Sequence, residues 1–251
     1  MTGVQTCALP ISRNKFNPLP FLKNILSDTL HLFYPHLCNG CGSDLLKEKN
    51  LLCLKCINNL PHTHFARYQN NPVEKYFWGR LPLVAAHSEF YFSKESLIQH
   101  LIHQLKYNGN TKIGLYLGEM TGKTLLNSNR FNTIDALIPL PLFADKERQR
   151  GYNQAAIICN GISAVINLPV ITGNIIRQRS TETQTLKHRT ERWENVAGSF
   201  AIKNAAALKD KHLLLVDDVV TTGATLEACG NILLHVEGIR LSIVTLAHAA
   251  K

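Results

Sequence analysis

The segment Leu213–Thr225, LLLVDDVVTTGAT, constrains this chain most. Leu213 to Val216 is a wholly apolar run that reads as a strand buried on both faces. It runs straight into two carboxylates, Asp217 and Asp218. A short loop of hydroxyls with one glycine follows, and a helix opens at Ala224. In an open α/β sheet, ligands bind at the carboxyl ends of the strands. The free N–H groups of a helix N-terminus suit a phosphate, and Gly223 lets backbone come close to it. Thr221, Thr222 and Thr225 add hydroxyl donors. Asp217 and Asp218 are no phosphate ligands; they suit sugar hydroxyls, which donate to carboxylates. One site thus asks for a phosphate and a vicinal diol together, as in a ribose 5-phosphate.

The surrounding pattern agrees with an α/β domain. Ile134–Leu140 reads as a strand, Asn153–Ile166 as a helix, and Pro169–Ile176 as holding a strand. Ala224–Val236 reads as a helix and Leu241–Ala247 as a last strand. Such alternation argues for a mostly parallel sheet with helices on both faces. Upstream, Val84–Phe92 alternates as a strand and Glu95–Tyr107 has helical spacing, with Ser93 or Ser96 as its cap. Thr111–Leu126 is a further helix, and Gln69–Pro72 reads as a linker. Phe21–Phe33 is amphipathic and ends at Pro35. Met1–Ile11, MTGVQTCALPI, reads as a translated sequencing adapter fused to the frame, so it is set aside and leaves the natural start open. The expected organisation is therefore an N-terminal helix over 12–35, a small metal module over 36–68 and the α/β domain over 80–251.

The cysteines divide into a cluster and singles. With Cys7 set aside, Cys38, Cys41, Cys53 and Cys56 form two C-x2-C pairs separated by eleven residues. Two such knuckles bring four thiolates around one zinc ion, and Gly40 and Gly42 ease the first turn. All four positions are filled by protein, so the zinc expected here is structural. Nothing reads as a secretory leader, so the expected location is the cytoplasm, where these thiols stay reduced rather than pairing as disulfides. His36, His62 and His64 flank the cluster, but four thiolates need no further ligand. Cys159 and Cys229 fall in expected helices and read as buried small hydrophobes.

Composition narrows the class. The 251 residues are 45% hydrophobic and 18% charged, which excludes wholesale disorder. No apolar run approaches the roughly 20 residues that span a bilayer, so no membrane partner is expected. The formal net charge of +9 is compatible with a polyanionic ligand.

The strand, acid pair, Thr-Thr-Gly-Ala-Thr loop and helix resemble the phosphoribosyl pyrophosphate (PRPP) motif of type I phosphoribosyltransferases. Ile138-Pro139-Leu140-Pro141 and the run Arg148 to Gln154 continue the pattern. So do Arg177, Gln184, Leu186, Arg189, Asn195 and Phe200. Joined to the four-cysteine module, the chain is similar to the ComF family of competence proteins over roughly Phe33 to Ala247. The resemblance implies a type I phosphoribosyltransferase-like sheet with a small N-terminal zinc-ribbon module. It implies that Asp217 and Asp218 are the catalytic pair on the ribose hydroxyls, and that Thr221, Thr222, Gly223, Ala224 and Thr225 hold the 5-phosphate. Arg148 and Arg150, in the loop after the first strand of the domain, would meet the pyrophosphate. Arg177 and Arg189 belong to a basic lid over Arg177–Asn195. Mg2+ would accompany PRPP, and phosphoribose would pass to an unknown acceptor. A non-catalytic alternative is a nucleotide or single-stranded DNA binding module that docks a competence helicase through its zinc finger. A relic domain used only for docking is disfavoured by the intact Asp217, Asp218, Gly223 and Thr225.

Other motifs are weaker. Gly118–Thr124, GEMTGKT, has three residues between its glycines where a P-loop needs four, and it sits in a helical stretch. His100 and His103 lie one turn apart with no third ligand evident. Lys106, within Leu105-Lys106-Tyr107, reads equally as an anion contact or a surface lysine.

Overall fold

The computed structural model describes residues 36–44, 46, 50–178 and 199–249. The segment 1–11, the helix expected over Phe21–Phe33 and most of the basic lid, Arg189 included, lie outside them. In chain order come α1 (Leu54–Asn58), a 3-10 turn at Phe65–Arg67, α2 (Pro72–Lys75) and β1 (Ala85–Phe92). Next are α3 (Leu97–Tyr107), α4 (Thr111–Leu126), β2 (Ala136–Pro139), α5 (Ala144–Arg150) and α6 (Gln154–Ile166). The remainder is β3 (Ile175–Arg177), β4 (Phe200–Ile202), β5 (His212–Val220), α7 (Ala224–Leu234) and β6 (Arg240–Ala249).

Four strands form one parallel sheet in the order β1-β6-β5-β2, while β3 and β4 make a separate antiparallel pair. β5 lies inside the sheet, between β2 and β6. Its Leu213 to Val216 are fully buried, as a strand covered on both faces must be. On one face Ile98, Leu101, Leu105, Leu117, Ile158 and Ile162 of α3, α4 and α6 fill the core. On the other, Phe77, Leu208, Leu226, Cys229 and Leu233 do so. Each such side chain contributes about 1.5–3 kcal/mol by burial.

Glycines explain how closely α4 and α6 pack. A Cβ at Gly161 would lie 2.2 Å from the Leu115 carbonyl oxygen, and one at Gly118 would lie 2.5 Å from that of Ile158. The glycines of GEMTGKT therefore serve helix contact, in keeping with the rejection of a phosphate loop there. Cys159 and Cys229 are buried in α6 and α7.

Several boundaries differ from the sequence reading. β5 does not stop at Val216 but carries both acids and ends at Val220. The expected Pro169–Ile176 strand is reduced to β3, with Val170 bridged in parallel to Leu137. The stretch after β2 is not all loop: it holds α5, closed by Gly151 at φ 80°. Ser96, not Ser93, caps α3, accepting from the Gln99 N–H at 3.2 Å. Gln69–Pro72 is no free linker. Asn71 is fully buried, caps α2 by accepting from Val73 and Glu74, and donates to the Ala86 carbonyl of β1 at 2.8 Å.

The cysteine module packs on α3. Cys38, Leu52, Cys56 and Leu60 share a core with Ile98, Leu101 and Leu105. Gln104 donates to the Asn39 carbonyl at 2.8 Å. No helix among the described residues is long and apolar enough to cross a membrane.

Candidate functional site

Because side chains alternate along a strand, Asp217 and Asp218 straddle the end of β5. Asp218 is 4% exposed and faces α3. There Lys106 Nζ meets Asp218 Oδ1 at 2.8 Å. Asp218 Oδ2 is buried and, among the described residues, has no hydrogen-bond partner. Asp217 faces the other side, within the field of Arg177 and near Cys229. Its Oδ1 accepts from the Asp218 N–H at 2.8 Å. Burial, and then the charge of Asp218, push the Asp217 carboxyl up to about 8, against the pull of that hydrogen bond, Lys106 and Arg177. At neutral pH the pair therefore keeps a proton.

The loop beyond β5 is shaped for close approach. Thr221 and Thr222 are exposed, and Thr225 is half-buried on the first turn of α7. Gly223 has φ 77°, and a Cβ there would lie 2.9 Å from the ring of Phe77, so glycine is required on two counts. The Arg80–Glu227 ion pair, at 2.9 Å, braces the start of α7. The first N–H groups of that helix have no partner within it, and that of Ala224 donates to Thr222 Oγ1 at 3.4 Å.

The arginines divide. Arg177 stacks on Phe143, 4.1 Å from the ring centre, and lies over Phe200 at 5.2 Å. Burial lowers its pKa, while Asp217 pulls the other way. Its Nε is buried and, among the described residues, has no hydrogen-bond partner. Arg150 lies 5.4 Å from the Tyr107 ring centre and donates to Gln154 at 2.7 Å. Arg148 pairs with Asp145 at 2.5 Å on an exposed face of α5, apart from the acid pair. A cavity of about 390 Å³ beside the end of β2 reaches Arg177, and one of about 290 Å³ holds Lys106, Tyr107 and Arg150.

Lys106 is the residue that sequence reasoning left undecided. Its signal is the likeness of Leu105-Lys106-Tyr107 to a ComF family motif, and the ion pair with Asp218 brings it to the candidate site. Its element, α3, precedes the sheet strand that carries the acids by more than a hundred residues, so spacing alone does not connect them.

The four cysteines converge. Their sulfurs lie within 4.8 Å of one another, an arrangement able to hold a metal ion. Cys38 Sγ accepts from the N–H groups of Cys53 at 3.2 Å and Gly40 at 3.4 Å. Burial alone would raise the Cys38 thiol, but the backbone hydrogen bonds outweigh it and bring it down to about 6. The donor set and its amide hydrogen bonds fit a tetrathiolate metal site. A Cβ at Gly40 would stand 2.8 Å from Cys56 Sγ, so the knuckle closes only around glycine. His100 and His103 join no such cluster among the described residues.

Comparison with known proteins matches this architecture. Competence protein ComFC of Bacillus subtilis is 35% identical over 223 residues, 86% of this chain and 85% of that protein. The chain belongs to the ComF family. Within the family's reach, DNA utilization protein YhgH of Escherichia coli (strain K12) is 27% identical over 204 residues, 79% of this chain and 84% of that protein. The phosphoribosyl transferase domain family matches residues 150–251, which contain β5, the acid pair and α7. A hypoxanthine phosphoribosyltransferase structure from Staphylococcus aureus aligns over 55% of this chain and 65% of that one, at 14% identity and a TM-score of 0.34. A ComF member thus carries a phosphoribosyltransferase-type domain joined to a four-cysteine cluster.

Proposed function

We propose that this ComF protein binds PRPP at the end of β5 and transfers its phosphoribose to an acceptor in a competence-linked role. The observation that carries the reading is an acid pair with a buried, unpartnered carboxylate oxygen beside an open Thr-Gly helix start. Vicinal hydroxyls supply what Asp218 Oδ2 and Asp217 lack. The Thr221–Thr225 loop and the start of α7 supply donors for a 5-phosphate. Arg177 and Arg150 flank the place where pyrophosphate charge develops, with Arg148 and Arg189 as further cations of the same chain segments.

In the transfer, the acceptor bonds to the anomeric carbon as its bond to the pyrophosphate oxygen breaks. The electron pair leaves with the pyrophosphate, and the acceptor gives up a proton. Catalysis is positioning plus charge stabilisation of an oxocarbenium-like state. Asp217 and Asp218 hold the ribose hydroxyls, and the arginines offset the leaving group. Mg2+ bound with PRPP would add to that charge balance. Cys38, Cys41, Cys53 and Cys56 would hold zinc, which would supply a structural cross-link within the module.

The test is calorimetric titration of PRPP with Mg2+ into wild type and into Asp217→Asn/Asp218→Asn. Saturable binding that the variant loses supports the reading. Absence of binding to folded, zinc-loaded wild type overturns it.

A further inference from the structure

We propose that a cleft between the tail of the cysteine module and the C-terminal end of α4 is a second anion site, shaped for the phosphate of a nucleotide. The cleft has a volume of about 660 Å³ and is lined by residues remote in sequence from the acid pair. That volume lies in the range of small-molecule sites, about 300–1,000 Å³.

Its walls are tied together. Ser128 Oγ donates to the Ala66 carbonyl at 2.7 Å, and Arg130 donates to the Tyr68 carbonyl at 2.7 Å. Thr124 Oγ1, on α4, donates to Glu89 Oε1 of β1 at 3.0 Å. The cleft is therefore preformed from three separate stretches of chain.

Its charge is unbalanced. Arg67, Lys123 and Arg130 line it against a single carboxylate, Glu89. That carboxylate is already committed: it is 2% exposed and bonded to His62 at 2.8 Å and to His87 at 3.0 Å. Burial would raise its pKa, but the bonds from His62, His87 and Thr124 prevail and hold it at about 2. Arg130 is matched by Glu74. Arg67 and Lys123 are exposed and, among the described residues, no ion pair is seen for either. A lysine in the last turn of α4 complements the helix dipole. That role does not explain why an arginine from the 3-10 turn shares the cleft with it.

Cations from separate stretches suit a tetrahedral phosphate better than a planar carboxylate. His62 bonds Glu89 through Nδ1, which leaves Nε2 as its second polar atom for a ligand. The rings of His62 and His64 lie nearly parallel, 5.9 Å apart at 21°, and offer flat surface to a base. The phosphate can come from a free nucleotide or from a nucleic-acid strand, and the chemistry of the cleft is the same for both.

The experiment uses the Asp217→Asn/Asp218→Asn protein, so that the second cleft is read independently of PRPP binding. AMP and, separately, a short oligodeoxythymidylate are titrated into this protein and into the same protein carrying Arg67→Ala/Lys123→Ala. We expect saturable binding of at least one probe, weakened about tenfold or more by the added changes. Binding of AMP assigns the phosphate to a free nucleotide; binding of the oligonucleotide alone assigns it to a strand. Zinc content and melting temperature show that the variants fold. Lys123→Glu, a reversal at an exposed position, must weaken the same probe. Binding of neither probe, or equal affinity with and without the two cations, overturns the proposal.

Discussion

At the cysteine cluster, four sulfurs lie within 4.8 Å of one another, and two backbone N–H groups donate to one of them, so all four positions around a metal would come from protein. At the end of β5 the opposite holds. Asp218 keeps a buried oxygen without a partner, Asp217 keeps a proton, and the neighbouring threonines face outward. On the proposed reading the first takes a structural metal, and the second takes hydroxyls and phosphate. The contrast separates a site that holds the fold from one that uses it. Both rest on α3, whose apolar face supports the cysteine module and whose last turn places Lys106 on Asp218.

The sharpest way to break this comparison is to disturb the closed site. Cys38→Ser, or chelation of the metal proposed there, should cost on the order of 4 kcal/mol or more of stability, because loss of a structural metal is among the most damaging changes. Thermal unfolding checks this, and the apolar surface of α3 should become accessible at the same time. A variant as stable as wild type would show that the cluster does not hold the fold.

The next largest effect lies at the open site. Asp217→Asn/Asp218→Asn should weaken PRPP binding roughly 100-fold, since hydrogen bonds to charged groups contribute about 1.5–3 kcal/mol each. It should leave zinc content unchanged. A parallel loss of zinc would mean that the two regions are not separable in function.

Gly40→Ala sharpens the contrast from the closed side. The added methyl meets Cys56 Sγ and the Leu97 side chain, each at 2.8 Å, so a cost of about 1–3 kcal/mol is expected in denaturant unfolding. PRPP affinity should change little, because α3 can keep Lys106 in place.

The smallest effect is on pH dependence. The folded pKa of Asp217 is raised to about 8, above its ordinary carboxylate value, so the folded state holds a proton that the unfolded chain has lost. That contribution is fully present below the ordinary value and is lost as pH rises through about 8. Wild type without ligand should lose roughly 2 kcal/mol between pH 6 and 8, while Asp217→Asn should be flatter there. Equal slopes in thermal melts would place the proton elsewhere.

Much of both sites was legible because their chemistry is local in sequence. The two C-x2-C pairs and the run from Leu213 to Thr225 each carry their spacing with them. The helices over Thr111–Leu126 and Gln154–Ile166 were legible by periodicity, and the latter opens where Asn153 was expected. What was not legible depends on contacts between distant elements. Nothing near Lys106 announces that it meets Asp218. Val219 and Val220 look like the start of a loop until pairing with β6 extends the strand beyond the acids. Asn71 reads as a linker residue until its amide is found on β1. β3 pairs along its three residues with β4 and meets Phe143 only through an isolated bridge at Arg177, neither of which periodicity marks.

The central claim is that the open acid pair, not the closed cluster, receives the ligand, and counting protons tests it most directly. PRPP with Mg2+ is titrated calorimetrically at pH 7 in two buffers of different ionisation enthalpy, into wild type and into Asp217→Asn. Ribose hydroxyls need the ionised carboxylate, so wild type should release about one more proton per ligand bound than the variant. Binding with the same proton count in both proteins would show that PRPP does not engage Asp217, and would contradict the assignment of the site.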